Sequence, residues 1–293
     1  MVNSMNTAPR VSIVVLSMGD RPEELDRCLR SALAQKYDSF EVFCVGMGWQ
    51  PEGLPEGVRV EGVEENLGSP GGRNYAASRV RSEVFMFLDD DAWLPDADFL
   101  GKAMVIFERW PKLGLLAPRL SDANGTTLRR WVPRAHVGDP NESGPAFTCP
   151  EGVTLYRRTA WESVGGFPGN FFHGHEGVDV CWRMRDRGWD AWYEASLTVH
   201  HPALPPGRHA YYLRLNARNR VWVARRNLPV PLIPVYVGIW TAISLARNAR
   251  DWESVKSWVS GWQEGWRTSP GDRDPMHWRT VAKLARLGQP PII

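Results

Sequence analysis

The chain has 293 residues, of which 43% are hydrophobic and 23% are charged. These fractions are close to the averages for soluble globular proteins, and they exclude a disordered or collagen-like chain. With 35 basic and 33 acidic residues the net charge is +2, which excludes a uniformly basic protein that binds nucleic acid by charge alone.

The amino-terminal residues and the cysteines predict a cytoplasmic protein. Residues 1–10 are polar, and the apolar run Val11–Leu16 that follows is too short for a signal peptide. The four cysteines are widely scattered and form no Cys-x-x-Cys pair, which argues against a structural zinc site. We therefore expect a reducing environment.

Strands and helices alternate along the first part of the chain. The β-branched run Arg10–Leu16 is typical of a strand buried on both faces, and apolar residues at helical spacing follow from Pro22 to Leu33. Further strands are predicted at Phe40–Val45, Val58–Val63, Val84–Leu88 and Leu113–Ala117, and helices at Gly71–Val80 and Phe99–Trp110. This alternation predicts an open α/β sheet, in which ligands bind beyond the carboxyl ends of the strands.

The segment Asn66–Asn74 joins a strand to a helix and combines glycines with polar side chains. Glycines let the backbone approach a ligand closely, and the amino terminus of the next helix favours anions. A planar guanidinium such as that of Arg73 suits phosphate. An ordinary turn is the alternative. The candidate ligand-binding residues here are Asn66, Gly72, Arg73 and Asn74.

Three consecutive aspartates, Asp89, Asp90 and Asp91, directly follow the apolar strand Val84–Leu88. Carboxylates this close repel one another unless a cation neutralises them. Their oxygens suit a hard divalent ion, Mn²⁺ or Mg²⁺, which in turn binds a diphosphate. An acidic cap on the next helix would explain one or two of them but not three at a strand end. We therefore predict a metal site here.

The segment Asn124–Pro150 is rich in Gly, Pro, Asn and Arg and lacks a period, so we interpret it as loop. Within it, Arg129–Arg134 could cover an acceptor, although a solvated surface loop is an equally good interpretation. A second structured block is predicted from Val153 to His201.

That second block carries a further group of polar residues. A helix is predicted to begin near Glu176, which puts Glu176 and Asp179 on one face at its entrance. A carboxylate near a metal-bound diphosphate can accept the proton of a sugar hydroxyl as a general base. For Asp179 we prefer a salt bridge to Arg183, four residues on. The strand that follows ends in His200 and His201, either of which could complete the metal site.

From Val221 onward the composition changes. This tail has a net charge of +5, holds seven of the 15 tryptophans and contains an uncharged stretch, Leu228–Ala246. Prolines leave only Val235–Ala246 for a helix, about 18 Å long, which is too short for a hydrocarbon core of about 30 Å. We divide the chain into a catalytic domain, residues 1–220, and a helical C-terminal region, residues 221–293.

Two interpretations of this tail stay open. A basic amphipathic segment with tryptophans fits the surface of an anionic bilayer, which would make the protein peripheral on the inner face of the plasma membrane. Alternatively, its apolar faces pack on the catalytic domain or on a second subunit in a homodimer.

In their order and spacing these motifs resemble the family 2 glycosyltransferases of the GT-A fold, especially actinobacterial cell-envelope rhamnosyl- and galactofuranosyl-transferases. The resemblance covers about Val11–Pro202. It rests on an Ile-Val-Val strand, Glu-Asn-Leu-Gly…Gly-Arg-Asn, Phe-Leu-Asp-Asp-Asp, Gly165-Gly-Phe, His-Glu-x-x-Asp-x-x-x-Arg and a terminal histidine. It implies a mixed, mostly parallel Rossmann-like α/β sheet with flanking helices, followed by a C-terminal helical segment.

The resemblance also implies an activity and roles for residues. The activity is inverting, metal-dependent transfer of a sugar from a UDP, dTDP or GDP donor to a hydroxyl of a glycan or glycolipid. Asp89 and Asp90 would contact the donor, Asp89 and Asp91 would bind Mn²⁺ or Mg²⁺, and Glu176, or else Asp179, would be the base. His201 is the preferred third metal ligand and His200 the alternative.

Aromatic and mobile segments complete the expected site. Trp93, Trp182 and Trp189 are candidate stacking surfaces for a sugar in a dry pocket. The segment Pro205–His209 is a candidate lid that would bring Arg208 over the diphosphate.

Two positions depart from the family pattern, and two rival functions follow. Gly46 stands where the family has an aspartate that holds the nucleobase, and Gly177 stands where it often has the second member of an acidic pair. A sugar-1-phosphate nucleotidyltransferase would need a glycine-rich loop after the first strand, but Ser17–Arg21 has one glycine. A degenerate glycan-binding or scaffold protein at the membrane would explain Gly46.

Overall fold

The amino-terminal apolar runs form parallel strands in the computed structural model, which describes residues 8–134, 138–203 and 210–292. The strand β1 (Val11–Ser17) lies between β2 (Phe40–Met47) and β4 (Val84–Asp89), and β3 (Val58–Val63) pairs with β2. All three pairings are parallel. Nearly every residue of β1 and β4 is buried, as expected for unbroken apolar strands in the middle of a sheet.

The second half of the sheet contains the antiparallel strands. β5 (Leu113–Ser121) pairs in parallel with β8 (Asp190–His200), and β7 (Leu155–Arg157) runs antiparallel between β4 and β5. The edge strand β6 (Gly144–Pro145) is antiparallel to β8. The order is β3-β2-β1-β4-β7-β5-β8-β6. The predicted mixed, mostly parallel sheet is therefore confirmed.

Helices cover both faces of this sheet. They are α1 (Pro22–Leu33), α2 (Gly68–Arg79), α3 (Phe99–Arg109), α4 (Arg158–Val164) and α5 (Glu176–Asp186). One hydrophobic cluster contains residues of α1 and α3, and a second, on the other face, contains residues of α2, α4 and α5. Successive residues of β1 alternate between the clusters, since side chains along a strand point to opposite faces.

Several element bounds differ from the sequence prediction. The helix α2 begins at Gly68 rather than Gly71, because Pro70 falls in the first turn, where no backbone donor is needed. The strand β5 continues to Ser121 rather than ending at Ala117, because it pairs with β8 again after a register shift at Pro118. The loop segment 124–150 also holds a 3₁₀ turn, Arg129–Trp131, and the edge strand β6.

The C-terminal helices pack on the rest of the protein. They are α6 (Ala210–Asn227), α7 (Leu232–Asn248), α8 (Trp252–Arg267) and α9 (Trp278–Arg286). A cluster joins Phe171 and Trp182 to Trp222 of α6 and Leu284 of α9. Gly261 of α8 lets that helix lie directly against the α6 backbone, since a Cβ there would be 1.9 Å from the Arg214 carbonyl oxygen.

This arrangement bears on the predicted division of the chain. The predicted boundary between residues 220 and 221 falls inside α6, which is one continuous helix. No helix in the described ranges is both long and apolar enough to cross a membrane.

Candidate active site

The predicted acidic cluster lies at the carboxyl end of β4, together with a histidine. Asp91 Oδ1 is 3.3 Å from His201 Nε2, and Asp89 Oδ2 is 3.9 Å from the same nitrogen. One ligand atom from each of these three residues lies within 4.8 Å of the others. The backbones of Trp93 and His200 hold the aspartate loop against the end of β8 through N–H···O bonds of 3.0 and 2.9 Å.

The hydrogen bonds of the two histidines give them different roles. His201 Nδ1 lies 2.9 Å from the Pro202 carbonyl oxygen, which can only accept. With the proton on Nδ1, Nε2 turns its lone pair toward two carboxylates, an arrangement that a cation would stabilise. His200 Nδ1 is instead 3.0 Å from the Ser121 hydroxyl. His201 therefore belongs to the candidate metal site, and the alternative ligand His200 does not.

Asp90, the aspartate outside this three-residue cluster, pairs with Arg21, for which the sequence predicted no role. Arg21 bridges Asp90 at 2.6 Å and Asp91 Oδ2 at 2.5 Å. Asp91 is thus held on one oxygen while its other oxygen faces His201. Burial raises the pKa of the Asp90 carboxyl to about 6, although a hydrogen bond from Ser17 and the charge of Arg21 oppose the rise. Asp90 anchors the loop, and it also lines the larger cavity described below.

Arg73 links this cluster to the predicted base. Its guanidinium donates to Asp89 at 2.8 Å and lies 3.8 Å from Glu176 Oε1. The Glu176 side chain is 2% exposed, and its Oε2 atom has no hydrogen-bond partner among the described residues. Burial raises the pKa of Glu176, and the charge of Arg73 opposes that rise. A buried carboxyl with a free oxygen and a raised pKa is suited to accept a proton.

Asp179 has a structural role, which corrects the alternative assignment of this residue as the base. Its carboxylate is fully buried and bonded to Arg183 at 2.5 Å, to Arg226 at 3.0 Å and to Asn227 at 2.7 Å. Burial alone would raise the pKa of Asp179, but the charges of the two arginines and the bond from Asn227 outweigh burial and lower it. The salt bridge to Arg183 is as the sequence predicted.

The substitution Asp179→Asn is expected to lower the free energy of unfolding by about 3 kcal/mol, because two largely buried guanidinium groups lose their counter-charge. Since the pKa of Asp179 lies below its ordinary value of 3.8, its stabilising effect holds above that value and disappears as the pH falls. Wild type and variant should therefore converge in acid. Denaturant unfolding at several pH values checks this. A loss of turnover at unchanged stability would instead make Asp179 the base.

Two of the four residues predicted in Asn66–Asn74 have other roles. A Cβ at Gly72 would lie 2.7 Å from Met47 Cε, so this glycine lets α2 pack on the sheet. Asn74 donates to the Phe167 carbonyl oxygen at 2.8 Å and accepts from the Phe167 N–H at 2.9 Å, which ties α2 to a loop. Asn66 and Arg73 do line a cavity.

The predicted stacking residues do not line the two cavities beside the acidic cluster in the described part of the chain. Trp182 packs on Tyr236 in the C-terminal cluster, and Trp189 precedes β8 at the opposite end of the sheet from the aspartates. The Trp93 ring is tilted against His200 and covered by the Arg27 guanidinium at 4.0 Å. These are corrections, since tryptophan content alone does not tell which ring reaches a ligand. Trp131 lies 6.0 Å from the His201 ring, and its segment was predicted only as a possible cover. Arg208 lies outside the described residues.

Two adjoining cavities meet at the acidic cluster. The larger, of 620 Å³, is lined by Ser17, Arg21, Asn66, Asp90 and Tyr211 among others. The second, of 440 Å³, is lined by Trp131, Glu151, His175, Glu176 and Asn216 among others. Both include Arg73, Asp89 and His201. The arrangement offers space for an extended ligand on one side of the cluster and for a second ligand beside Glu176.

Asn219 on α6 fixes the segment that leads to Glu176. Its Nδ2 atom lies 3.0, 2.8 and 3.0 Å from the carbonyl oxygens of Phe171, His173 and Gly174. The side chain is fully buried. His175, which follows Gly174, has φ = 70°, and α5 begins directly after His175. The sequence predicted no role for Asn219.

The structure gives a physical reason for glycine at position 46. A Cβ there would lie 2.2 Å from the Trp49 carbonyl oxygen and 2.8 Å from the Pro51 ring. Any side chain would therefore displace the segment after β2. The nucleobase contact that the family pattern places at this position has no room here.

Comparisons with known proteins show which proteins the chain is similar to in sequence and in fold. Residues 47–165 match the model of glycosyl transferase family 2. The O-antigen biosynthesis protein RfbC of Myxococcus xanthus is 26% identical over 211 residues, which are 61% of this chain. The chain spans only 16% of that protein's length.

Solved glycosyltransferase structures share the fold. S. aureus TarS 1–349 gives a TM-score of 0.60 at 14% identity over 86% of this chain and 78% of that one. The mannosyltransferase PcManGT of Pyrobaculum calidifontis, in complex with GDP-Man and Mn²⁺, gives a TM-score of 0.58 at 16% identity, over 95% of this chain and 79% of that one. GalNAc-T7 with UDP, GalNAc and Mn²⁺ gives a TM-score of 0.66 at 12% identity, over 98% of this chain and 59% of that one. Residues 47–165 therefore match the glycosyl transferase family 2 model, and the chain has the GT-A fold that these solved structures share.

Proposed function

We propose that the protein transfers a sugar from a nucleotide-diphosphate donor to a hydroxyl group of a glycan or glycolipid, with inversion and with Mn²⁺ or Mg²⁺. The observation that carries the proposal is the buried carboxyl group of Glu176, in a cavity that adjoins the cluster of Asp89, Asp91 and His201, with one oxygen that has no hydrogen-bond partner among the described residues. Support also comes from two relatives of the fold whose structures hold Mn²⁺ with GDP-Man or UDP.

The donor set fits the proposed cation. Two carboxylate oxygens and an imidazole nitrogen suit Mn²⁺, and oxygen ligands suit Mg²⁺. Bound by Asp89, Asp91 and His201, the cation would stabilise the negative charge of a departing diphosphate. The guanidinium groups of Arg21 and Arg73 neutralise the remaining carboxylate charge around the site and hold the aspartates in place.

The chain's own residues then divide the work between two cavities. The larger cavity, with Asn66 and Arg73 on its wall, would take the donor, and the one beside Glu176 and Trp131 would take the acceptor. The oxygen of the acceptor hydroxyl attacks the anomeric carbon on the face opposite the leaving diphosphate, and Glu176 accepts the proton of that hydroxyl. One displacement of this kind inverts the configuration at that carbon.

A nucleotide panel tests this proposal. UDP, GDP and dTDP, each with and without Mn²⁺, are expected to separate in a thermal-shift assay, with one nucleotide stabilising the protein only when Mn²⁺ is present. Release of the same nucleoside diphosphate from its sugar conjugate then measures turnover. Pyrophosphate release from a nucleoside triphosphate would support a nucleotidyltransferase, and no shift with any nucleotide would support a glycan-binding protein.

We also propose that α7 rests on an anionic membrane at the inner face of the plasma membrane, where a lipid-linked acceptor would be found. Only Tyr236 and Val237 of this apolar helix are buried. Val235 is 42% exposed and Trp252, at the start of α8, is 66% exposed. Arg247 and Arg250 follow the apolar stretch, so a basic end complements anionic lipid.

A sedimentation assay separates this surface from a homodimer interface. Vesicles containing phosphatidylglycerol are expected to pellet the protein, and Val235→Glu should reduce pelleting about tenfold because it places a charge in the apolar contact. Val105→Glu on α3, where the valine is 43% exposed, is the matched control. If Val235→Glu instead dissociates a dimer and leaves vesicle binding unchanged, the face belongs to a second copy.

A further inference from the structure

Position 177 on α5 has no room for a side chain. A Cβ at Gly177 would lie 2.5 Å from the Cys149 carbonyl oxygen and 2.5 Å from Oε1 of Glu151. Cβ atoms do not approach other atoms so closely, so a larger residue would displace the loop that carries Glu151. The space that an acidic side chain at 177 would occupy is taken by the carboxyl group of Glu151.

Glu151 reaches this place from a different part of the chain. Its Oε1 atom accepts a hydrogen bond of 2.7 Å from the backbone N–H of Gly177, the second residue of α5. Glu176 is the first residue of the same helix, so both carboxyl groups lie at its amino terminus, where negative charge is favoured. Both also line the 440 Å³ cavity.

The positive charge of Arg73 is shared between Glu176 and the acidic cluster. Arg73 is 3.8 Å from Glu176, but it donates to Asp89 at 2.8 Å. Oε2 of Glu176 has no hydrogen-bond partner in the described part of the chain. Two carboxyl groups in such a site cannot both ionise without repelling each other, and a proton held by one of them relieves the repulsion.

We propose that Glu151 and Glu176 act as one carboxyl pair that shares a proton, with Glu151 in the place of the acidic side chain that position 177 lacks. The catalytic consequence rests on the proposed function: Glu176 touches the acceptor, and Glu151 is a positioning residue whose charge increases the proton affinity of Glu176. Burial, and then the charge of Glu176, raise the pKa of Glu151 to about 7, which agrees with the geometry.

Other titratable or charged groups face the same cavity from the elements around it. Among the described residues they are Arg73 of α2, Asp89 of β4, Arg130 of the 3₁₀ turn, Cys149 and Tyr212 on the loop and on α6, and the histidines 173, 175 and 201. Burial raises the pKa of the Cys149 thiol well above its ordinary value and lowers the pKa of His175 well below its ordinary value. The test therefore compares variants that differ only in the two glutamates.

Stability measured at two pH values tests the pair without any substrate. Because the pKa of Glu151 is raised, ionising its carboxyl destabilises the fold as the pH rises from about 4.5 to 7. Glu151→Gln mimics the protonated form and keeps an acceptor for the Gly177 N–H. Its Tm should equal that of wild type at pH 5 and exceed it by about 3 °C or more at pH 8. Equal differences at both pH values would overturn the pair.

The reciprocal variant guards against a local packing effect. Glu176→Gln should give the same rise in Tm at pH 8, and the double variant should gain little beyond either single one, because one neutral member already removes the repulsion. Glu162→Gln, in an exposed i,i+4 pair with Arg158, is the control and should show no such pH-dependent gain. Additive gains in the double variant would mean that the two groups titrate independently.

Kinetics test the catalytic consequence separately. In Glu151→Gln the plateau kcat should fall about tenfold, with the KM for the donor unchanged, because a weaker base remains. The acid limb of the kcat profile should also move to lower pH, which a purely structural role would not cause. An unmoved limb overturns this consequence. If the stability signature is present but wild type transfers no sugar, the proposed function has failed while the pair stands.

Discussion

Asp91→Asn is expected to abolish Mn²⁺-dependent stabilisation by nucleotide and to lower sugar transfer by about 100-fold or more. Loss of an outer-shell partner alone weakens a metal site about 10–100-fold, and here a proposed ligand is lost. Asparagine has the same shape, and Arg21 keeps its bond to Asp90, so the loop should stay in place. Thermal shift with and without Mn²⁺ measures the first effect and nucleoside diphosphate release the second.

The matched control for this variant is Asp26→Asn. Asp26 lies on α1 in an exposed i,i+4 pair with Arg30 and should change neither measurement, because such pairs contribute little. If Asp91→Asn retained both the Mn²⁺ response and near-wild-type transfer while folded, the proposed metal site at the end of β4 would be wrong.

Glu176→Gln is expected to lower kcat about 100- to 10,000-fold and to leave the KM for the donor nearly unchanged, because the general base is lost but the donor cavity is intact. The variant should not be destabilised, since burial raises the pKa of this carboxyl and glutamine resembles its protonated form. Steady-state kinetics at saturating acceptor, with Tm as the folding control, measure both effects.

Two results would contradict this role of Glu176. A variant that kept its kcat would move the base elsewhere, and Glu151 would be the first residue to examine because it lines the same cavity. A variant that lost donor binding and kept kcat at saturation would make Glu176 a binding residue. Slow hydrolysis of the donor without acceptor should persist in Glu176→Gln only if water is activated by another group.

Much of the fold was predictable because it depends on local patterns. Unbroken apolar runs predicted β1 and β4, and their buried positions in the sheet follow from the same property. Errors of a few residues arose where a pairing partner extended an element, as in β5, or where a proline was accommodated in a first turn, as in α2. The change in composition at residue 221 did not coincide with the end of a helix, since α6 is continuous through that position.

The candidate site was predictable in part. A run of aspartates directly after a buried strand must lie at the carboxyl end of that strand, where ligands bind in such sheets. A glutamate at the start of a helix lies at the positive end of the helix dipole. The sequence did not decide which of His200 and His201 joins the metal site, because neighbouring residues at a strand end point to opposite faces. Only the pairing of His200 with Trp93 orients them. The sequence also did not decide whether Glu176 or Asp179 is the candidate base, since the contacts of Asp179 with Arg226 and Asn227 come from α6.

Other residues gave no local signal at all. Glu151 lies just after the loop segment Asn124–Pro150, and Arg21 directly precedes α1, yet each reaches the site across a long stretch of sequence. Glycine at 46 and at 177 was visible as a departure from the family pattern, but the reason is a close carbonyl oxygen, that of Trp49 at position 46 and that of Cys149 at position 177.

The sequence by itself determined the alternation of strands and helices, the acidic strand end and the resemblance to the family 2 glycosyltransferases, because these depend on residues that are near one another along the chain. Only the tertiary structure decided which histidine joins the aspartates, which tryptophans are buried structural residues and which glutamate lies beside Glu176. Those outcomes depend on strand register and on the approach of distant segments, which local composition does not encode.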